Sequence, residues 1–485
     1  MLSDVTTPQD LDDRFRETLA ALPAAERRRD PADPVTDDAP LTGAQVLDLF
    51  DAQVTSRQLD LAGRWLRSFG EGFYTIGSAG HEGNAAVAAA LRPTDPALLH
   101  YRSGAFYCLR AAQVAADPTL ATDSEPSAVP ARTAEPDQDD DRARSADPDQ
   151  DADRARSADS ESTVDSAATR DPEPTSDPQV SESEPAGTEP TSATGAANGF
   201  AAYADAARDV LRGMVASSLE PIAGGRHKVF GRADLAIVPT TSTIASHLPR
   251  AVGMGLAVER LRRLDSAGRR TGAGVRVGSG AGATHAPWPP DAIVVCSFGD
   301  ASVNHASATA AFNTAGWYDH AGLRIPVLFV CEDNGLGISV RSPEGWVETT
   351  LRAKPGIRYF SADGADPVRT YEVAAEAAAW VRRNRRPAVL HLRTVRLMGH
   401  AGADAESAYR SPAELAEDLD RDPVAATARL LVDAGVATGE ELLARYDETG
   451  WQVRRLAEEV LGEPKLVSAA DVVSALAPRR PVRVA

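Results

Sequence analysis

Two short polar segments, Gly299-Asp300-Ala301 and Asp333-Asn334-Gly335, each end an apolar run, VVCSF and PVLFVC. Asp300 offers a carboxylate, and Asn334 a side-chain amide with backbone carbonyls beside it. Hard oxygen donors from two loops, completed by ligand phosphates, suit an octahedral Mg²⁺. Gly299 lets the backbone approach a phosphate closely, and free N–H groups at a following helix start would meet it. Gly-Asp after a buried strand is also a common helix cap, and that reading of Asp300 stands beside the metal one.

These donors meet only if the elements around them are strand, helix, strand. Ser302 to Ala315 is rich in Ala with no Gly or Pro, which predicts a crossover helix. Such a unit sets two strands parallel and puts both loops at one edge of the sheet. Beyond the carboxyl ends of the strands is where open α/β sheets hold ligands. Helical spacing continues elsewhere, from Leu41 to Phe69, Gly80 to Leu91, Ser246 to Arg263 and Asp366 to Asn384. Ala388 to Val395 reads as a further strand, and Ser411 to Leu461 as helices with a capping start at Thr438-Gly439-Glu440-Glu441. Strands alternating with helices predict a mainly parallel α/β sheet with a helical tail.

Composition narrows the class. The chain has 485 residues, 43% apolar, with no apolar run near the roughly 20 residues that span a bilayer. The amino terminus lacks a basic start and an apolar segment, so no secretory signal is read there. Cys108, Cys296 and Cys331 form no CxxC or Cys/His cluster, which predicts reduced thiols in the cytoplasm. The net charge of −19 is concentrated: Asp117 to Gly199 holds 21 Asp and Glu against 6 Arg, leaving −4 for the remainder. This segment, without aromatics and with DRARSAD repeated at Asp141 and Asp153, is expected to be a disordered acidic insert. An acidic docking role for it is the alternative. The rest carries no basic stripe, which argues against nucleic-acid binding. The expected organisation is an N-terminal extension of poor order over 1–40, an α/β domain from 41–116 and 200–465, the insert at 117–199, and a tail at 466–485.

Four more segments place polar side chains beside glycine: Phe73 to Ala86, His100 to Arg110, Gly224 to Gly231 with Thr240 to Gly253, and Arg396 to Ser411. Taken singly, Tyr101-Arg102 reads equally as a surface pair, the Thr/Ser run as a helix cap, and His400 as a satisfied loop histidine. Taken together, Arg102 and His400 suit an anionic cofactor or substrate, and Ser242 suits hydrogen bonding.

In this order the segments resemble the alpha subunit of the thiamine-diphosphate-dependent 2-oxo acid dehydrogenases, the decarboxylating first component. The family's Gly-Asp-Gly, about thirty residues, Asn-Asn pattern is matched by Gly299-Asp300-Ala301 and Asp333-Asn334. STIASHLPRAVG and the SAYRS at Ser407 to Ser411 are most similar to the branched-chain (2-oxoisovalerate) members. The resemblance implies the thiamine-diphosphate-binding fold, with Mg²⁺ held by Asp300, Asn334 and the carbonyl of Leu336. It implies cofactor contacts from Tyr101, Arg102, Ser242, Ile244, Gly299, Asp300, Ala301 and Asn334. His400 is implied as the catalytic histidine of its loop, or else as the structural second histidine. Ala301 replaces the family's Gly and Leu336 its Tyr. Ala401 stands where the family has a regulatory serine, so no kinase control of that loop is expected.

The implied reaction is oxidative decarboxylation of a branched-chain 2-oxo acid with acyl transfer to a lipoyl group. The implied partners are a beta subunit, two alpha with two beta chains, and a lipoyl acyltransferase component. Pyruvate or acetoin as substrate, and a degenerate non-catalytic scaffold, are the alternatives.

Overall fold

A computed structural model describes residues 7–73, 76–120, 199–220, 222–224, 228–266, 288–402 and 404–474. These belong to one contact unit, residues 1–125 with 194–485. The acidic insert expected over 117–199 falls, from 121 to 198, outside the described residues. So do most of the 265–290 loop and the end of the expected tail.

Five parallel strands form the centre: β1 (Ala97–Leu98), β2 (Val294–Gly299), β3 (Val327–Asp333), β4 (Arg358–Asp363) and β5 (Ala388–Arg393). Their spatial order is β1-β2-β3-β5-β4. Alternate residues leave opposite faces of the sheet, so two apolar layers form. Val294, Cys296, Phe298, Val327, Phe329 and Cys331 pack on one side. Ile293, Val295, Leu328, Val330, Leu390 and Leu392 pack on the other. A sheet covered on both faces needs near-continuous apolar strands, which is what VVCSF and VLFVC supply.

The helices, in chain order, are α1 (Pro8–Ala21), α2 (Gly43–Ser68), α3 (Asn84–Ala89), α4 (Gly104–Ala116) and α5 (Ala204–Met214). They continue with α6 (Leu248–Ser266), α7 (Ala306–His320), α8 (Trp346–Arg352) and α9 (Pro367–Asn384), then α10 (Pro412–Asp420), α11 (Pro423–Asp433), α12 (Gly439–Leu461) and α13 (Ala469–Ser474). Residues of α6, α7 and α8 fill the first layer, and those of α2, α4, α5, α9, α11 and α12 fill the second. The predicted Thr438 start of α12 carries a full capping box with Glu441. The parallel sheet, its flanking helices and the helical tail agree with the sequence expectation.

Three expectations need correction. Residues 7–40 are not a loose extension: α1 has a capping box at Thr7 and buries Leu11, Phe15 and Leu19. Phe15 meets Tyr446 of α12 with ring centroids 4.7 Å apart, and the Tyr446 hydroxyl donates to Asp12. The crossover helix does not begin at Ser302. A 3₁₀ turn covers Asp300–Asn304, and α7 follows with His305 as its cap, its side chain accepting from the Ser307 N–H. The N–H groups nearest Asp300 thus belong to the 3₁₀ turn. The Gly80–Leu91 segment shortens to α3, because Gly80 to Gly83 form a turn. No helix among the described residues is long and apolar enough to cross a membrane.

Candidate functional site

Parallel topology sends every strand's carboxyl end to one edge, and the chain leaves each strand there through a polar loop. His100-Tyr101-Arg102 follow β1, Gly299-Asp300 end β2, Asp333-Asn334 end β3, and the His400 loop follows β5. The structure brings these four loops together.

Asp300 is 1% exposed and accepts from the Ser342 hydroxyl at 2.5 Å. Burial, and then the neighbouring Asp333 carboxylate, push its carboxyl up to about 7. Among the described residues no Lys or Arg pairs with it. A buried carboxylate with another carboxylate beside it and no cationic partner fits a divalent cation. Asn334 takes part in an Asx turn, its Oδ1 accepting from the Leu336 N–H at 3.0 Å. The Gly335 carbonyl accepts from the Ser342 N–H, and Arg396 donates to the carbonyls of Gly337 and Ile338 at 3.1 and 2.9 Å. Among the described residues no group donates to the Leu336 carbonyl lying between them. Asp300, Asn334 and the Leu336 carbonyl are therefore hard oxygen donors of the kind a divalent cation takes.

Arg102 is buried, donates through Nη1 to the Gly77 carbonyl and sets Nη2 3.1 Å from His400 Nδ1. Burial, then the charges of Arg102 and Arg396, lower the His400 pKa to about 4. His400 is thus neutral near pH 7, and since Arg102 can only donate, Nδ1 accepts and Nε2 carries the hydrogen. The His400 N–H donates to Asp404 at 2.7 Å, which fixes the loop from within. Tyr101 lies edge-on to the His400 ring at 6.2 Å and stacks obliquely on His100 at 4.1 Å.

Ser242 and Ile244 lie on a loop fastened at both ends to the strand edge. Thr240 donates to the Leu99 carbonyl at 3.1 Å, and His247 Nε2 donates to the Ser297 carbonyl at 2.7 Å. Ile244 is 41% exposed, so its apolar side chain is available to a ligand or a partner chain. Ala301 is half-buried in the 3₁₀ turn. Gly299 has room for only a close neighbour: a Cβ there would stand 3.3 Å from the His100 ring.

Sequence reasoning missed a buried polar layer beneath these loops. Asp60, on α2, accepts from the Ser78 and Ala79 N–H groups and from Lys228 Nζ at 2.8 Å, which fixes the 77–80 turn. Glu332, inside β3, accepts from Ser103 at 2.7 Å and from His81 Nδ1 at 2.8 Å. Against the opposing effect of burial, its histidine neighbours, His100 at 3.9 Å and His81 through its hydrogen bond, hold its carboxyl far below the usual range. The ligand atoms of His81, His100 and Glu332 cluster closely enough for a metal ion. The His81 and Ser103 hydrogen bonds account for that closeness without one. The available signal was an acidic residue ending an otherwise apolar strand, and a His-Glu pair between two glycines.

Comparison with known proteins follows the same region. The pyruvate dehydrogenase E1 component subunit alpha-3, chloroplastic, of Arabidopsis thaliana is 32% identical over 158 residues, 31% of this chain and 35% of that protein. The 2-oxoisovalerate dehydrogenase subunit alpha of Bacillus subtilis (strain 168) is 26% identical over 268 residues, 54% of this chain and 72% of that one. The mitochondrial 2-oxoisovalerate dehydrogenase subunit alpha of Macaca fascicularis is 24% identical over 273 residues, covering 55% and 54%. The chain thus spans only about a third to a half of several of these relatives. A family profile, described as dehydrogenase E1 component, matches residues 202–466. That span takes in the β2–β3 unit, the Ser242 loop and the His400 loop and exceeds half of the chain, which belongs to the dehydrogenase E1 component family.

Proposed function

We propose that this chain is the alpha-type subunit of a thiamine-diphosphate-dependent 2-oxo acid dehydrogenase, with a branched-chain 2-oxo acid of the 2-oxoisovalerate type as substrate. The observation that carries the reading is the buried Asp300 carboxylate, without a cationic neighbour, beside Asn334 at the adjacent strand end. When bound, thiamine diphosphate would supply the carbanion chemistry that releases CO₂. Asp300, Asn334 and the Leu336 carbonyl would hold Mg²⁺ against its diphosphate. Arg102 is within reach of the same edge, and its fork suits a phosphate once it leaves the Gly77 carbonyl. Neutral His400 would offer Nε2–H to a developing negative charge on the substrate, without adding a fixed charge to the site. The half-exposed Ile244 and the Ser242 hydroxyl would line the cofactor's organic part.

A beta-type partner completes the site in this reading, in two alpha with two beta chains, and a lipoyl acyltransferase component takes the acyl group. We place the enzyme in the cytoplasm, where the three buried free cysteines stay reduced; cell fractionation tests this. Pyruvate is the second reading, favoured by the higher identity, 32%, to the plastid relative. The branched-chain reading is supported by the longer matches, which reach 72% of the bacterial relative. The test is decarboxylation by the chain reconstituted with a beta-type partner, thiamine diphosphate and Mg²⁺. Turnover of 2-oxoisovalerate well above pyruvate is expected. A preference for pyruvate refutes the substrate, and calorimetry showing no thiamine diphosphate binding refutes the whole reading.

A further inference from the structure

An asparagine can serve a cation only if its oxygen, not its NH₂, faces the metal. The two ends of an amide have nearly the same shape, so something must choose between them. Here the choice is made two residues away. Asn334 Nδ2 lies 2.8 Å from His81 Nε2, and His81 Nδ1 lies 2.8 Å from Glu332 Oε2. All the atoms of His81 and Glu332 are enclosed, with no exposed surface on either residue. Glu332 takes the Ser103 hydroxyl on Oε1 and meets His81 Nδ1 with Oε2, so with the carboxylate accepting on both oxygens His81 carries its hydrogen on Nδ1. His81 Nε2 is then an acceptor, and Asn334 must present its NH₂ to it. The Asn334 oxygen is thereby turned to the other side, where it takes the Leu336 N–H and keeps a second lone pair.

We propose that Glu332 and His81 are positioning residues that set the orientation of the Asn334 amide and so make it a cation ligand. This rests on the functional reading above, in which Asn334 binds Mg²⁺ with thiamine diphosphate. The relay is one of hydrogen-bond polarity, with no proton moved. Ser103 anchors its far end, its hydroxyl donating to Glu332 Oε1 at 2.7 Å. Asn84 adds a longer contact to Oε2 at 3.4 Å. Arranging ligand orientation from a second layer of residues is a general property of metal sites, and losing such partners weakens affinity 10- to 100-fold.

The polarity argument distinguishes substitutions of nearly the same shape. In Glu332→Gln, an amide whose carbonyl keeps the Ser103 hydroxyl turns its NH₂ to His81 Nδ1. That reverses the relay: His81 Nε2 becomes the donor, the Asn334 oxygen turns to it, and the NH₂ faces the cation. His81→Leu removes the relay altogether. His81→Gln preserves it, since one amide can donate to Glu332 and accept from Asn334. The measurement is calorimetric titration of Mn²⁺ into the full chain assembled with its beta-type partner at saturating thiamine diphosphate. Thermal midpoints of each variant are recorded in parallel.

Glu332→Gln and His81→Leu are expected to weaken Mn²⁺ binding about tenfold or more, with His81→Gln within about threefold of the parent. Wild-type Mn²⁺ affinity in Glu332→Gln overturns the proposal. So does His81→Gln weakening binding as much as His81→Leu, because a purely space-filling role would be lost in neither or both. Should the parent assembly bind no Mn²⁺ with thiamine diphosphate, the functional reading falls and the relay with it.

Discussion

Replacing Asp300 by Asn should make the cation-free protein more stable while destroying its ability to hold a cation. The carboxyl stands at about 7 in the folded chain against an ordinary 3.8, raised by burial and then by Asp333. A rise of that size corresponds to about 4 kcal/mol of destabilisation when the group is ionised, at 1.36 kcal/mol per unit. The sign follows from linkage. A raised carboxyl pKa means that the folded state holds its proton longer than the unfolded one, so stability falls as pH rises between the two values. The effect is absent below about pH 3.8, under 2 kcal/mol at pH 5 and nearly complete at pH 8. Asn keeps an acceptor for the Ser342 hydroxyl, so little else changes.

Thermal unfolding followed by circular dichroism, without Mg²⁺ or cofactor, measures the difference. For the roughly 360 described residues, 4 kcal/mol is worth on the order of 5 °C in midpoint. Asp300→Asn should therefore melt several degrees higher at pH 8, with the gap shrinking by more than half at pH 5. Adding Mg²⁺ and thiamine diphosphate should raise the parent's midpoint and leave the variant's unmoved. A variant less stable than the parent at pH 8, or a gap independent of pH, would refute the assignment of Asp300 as an unpaired buried carboxylate.

Burial lowers the His247 pKa to about 4, so the unfolded chain takes up a proton near pH 5 that the folded chain refuses. Stability from this group is present above about pH 6.5 and lost as pH falls. His247→Gln should show roughly 2 kcal/mol less loss between pH 8 and pH 5 than the parent in urea melts. Gly80 adopts φ +95°, and a Cβ there would come within 2.2 Å of the Val395 carbonyl. Gly80→Ala should destabilise by at least about 2 kcal/mol, seen as a lower urea midpoint. Arg102→Lys cannot reach both the Gly77 carbonyl and His400 with one ammonium. Turnover by the reconstituted complex should fall about 10- to 100-fold, the range set by a charged hydrogen bond of 1.5–3 kcal/mol.

The β2–β3 unit was legible because VVCSF and PVLFVC are near-continuous apolar runs that end on polar loops. Thr438 with Glu441 was legible because a capping box is local. β1 escaped notice because it is two residues long and is defined by its pairing with distant residues, Val295 and Cys296 on one side and Ile237 on the other. β4 escaped because RYFSAD mixes charged, polar and apolar residues without a strict period of two, and only its pairing with β5 makes it a strand. The heptad-like Leu11, Phe15 and Leu19 of α1 were readable in principle, but their partner Tyr446 lies more than four hundred residues away. Among site residues, Tyr101, Arg102, Asp300, Asn334 and His400 stood out because they border glycine-containing loops. His81, Glu332, Asp60 and Lys228 did not, because a residue's role in a buried network depends on which distant side chain meets it.

The contact between α1 and α12 has a consequence for how the protein is made. Leu11, Phe15 and Leu19 leave the ribosome about four hundred residues ahead of the helix that covers them. β1 likewise waits almost two hundred residues for β2. Until α12 is made the apolar face of α1 lacks the cover that buries it, and β1 cannot pair with β2 before β2 follows. Contacts between segments this far apart in sequence form slowly, and an uncovered apolar face is an aggregation risk during that interval.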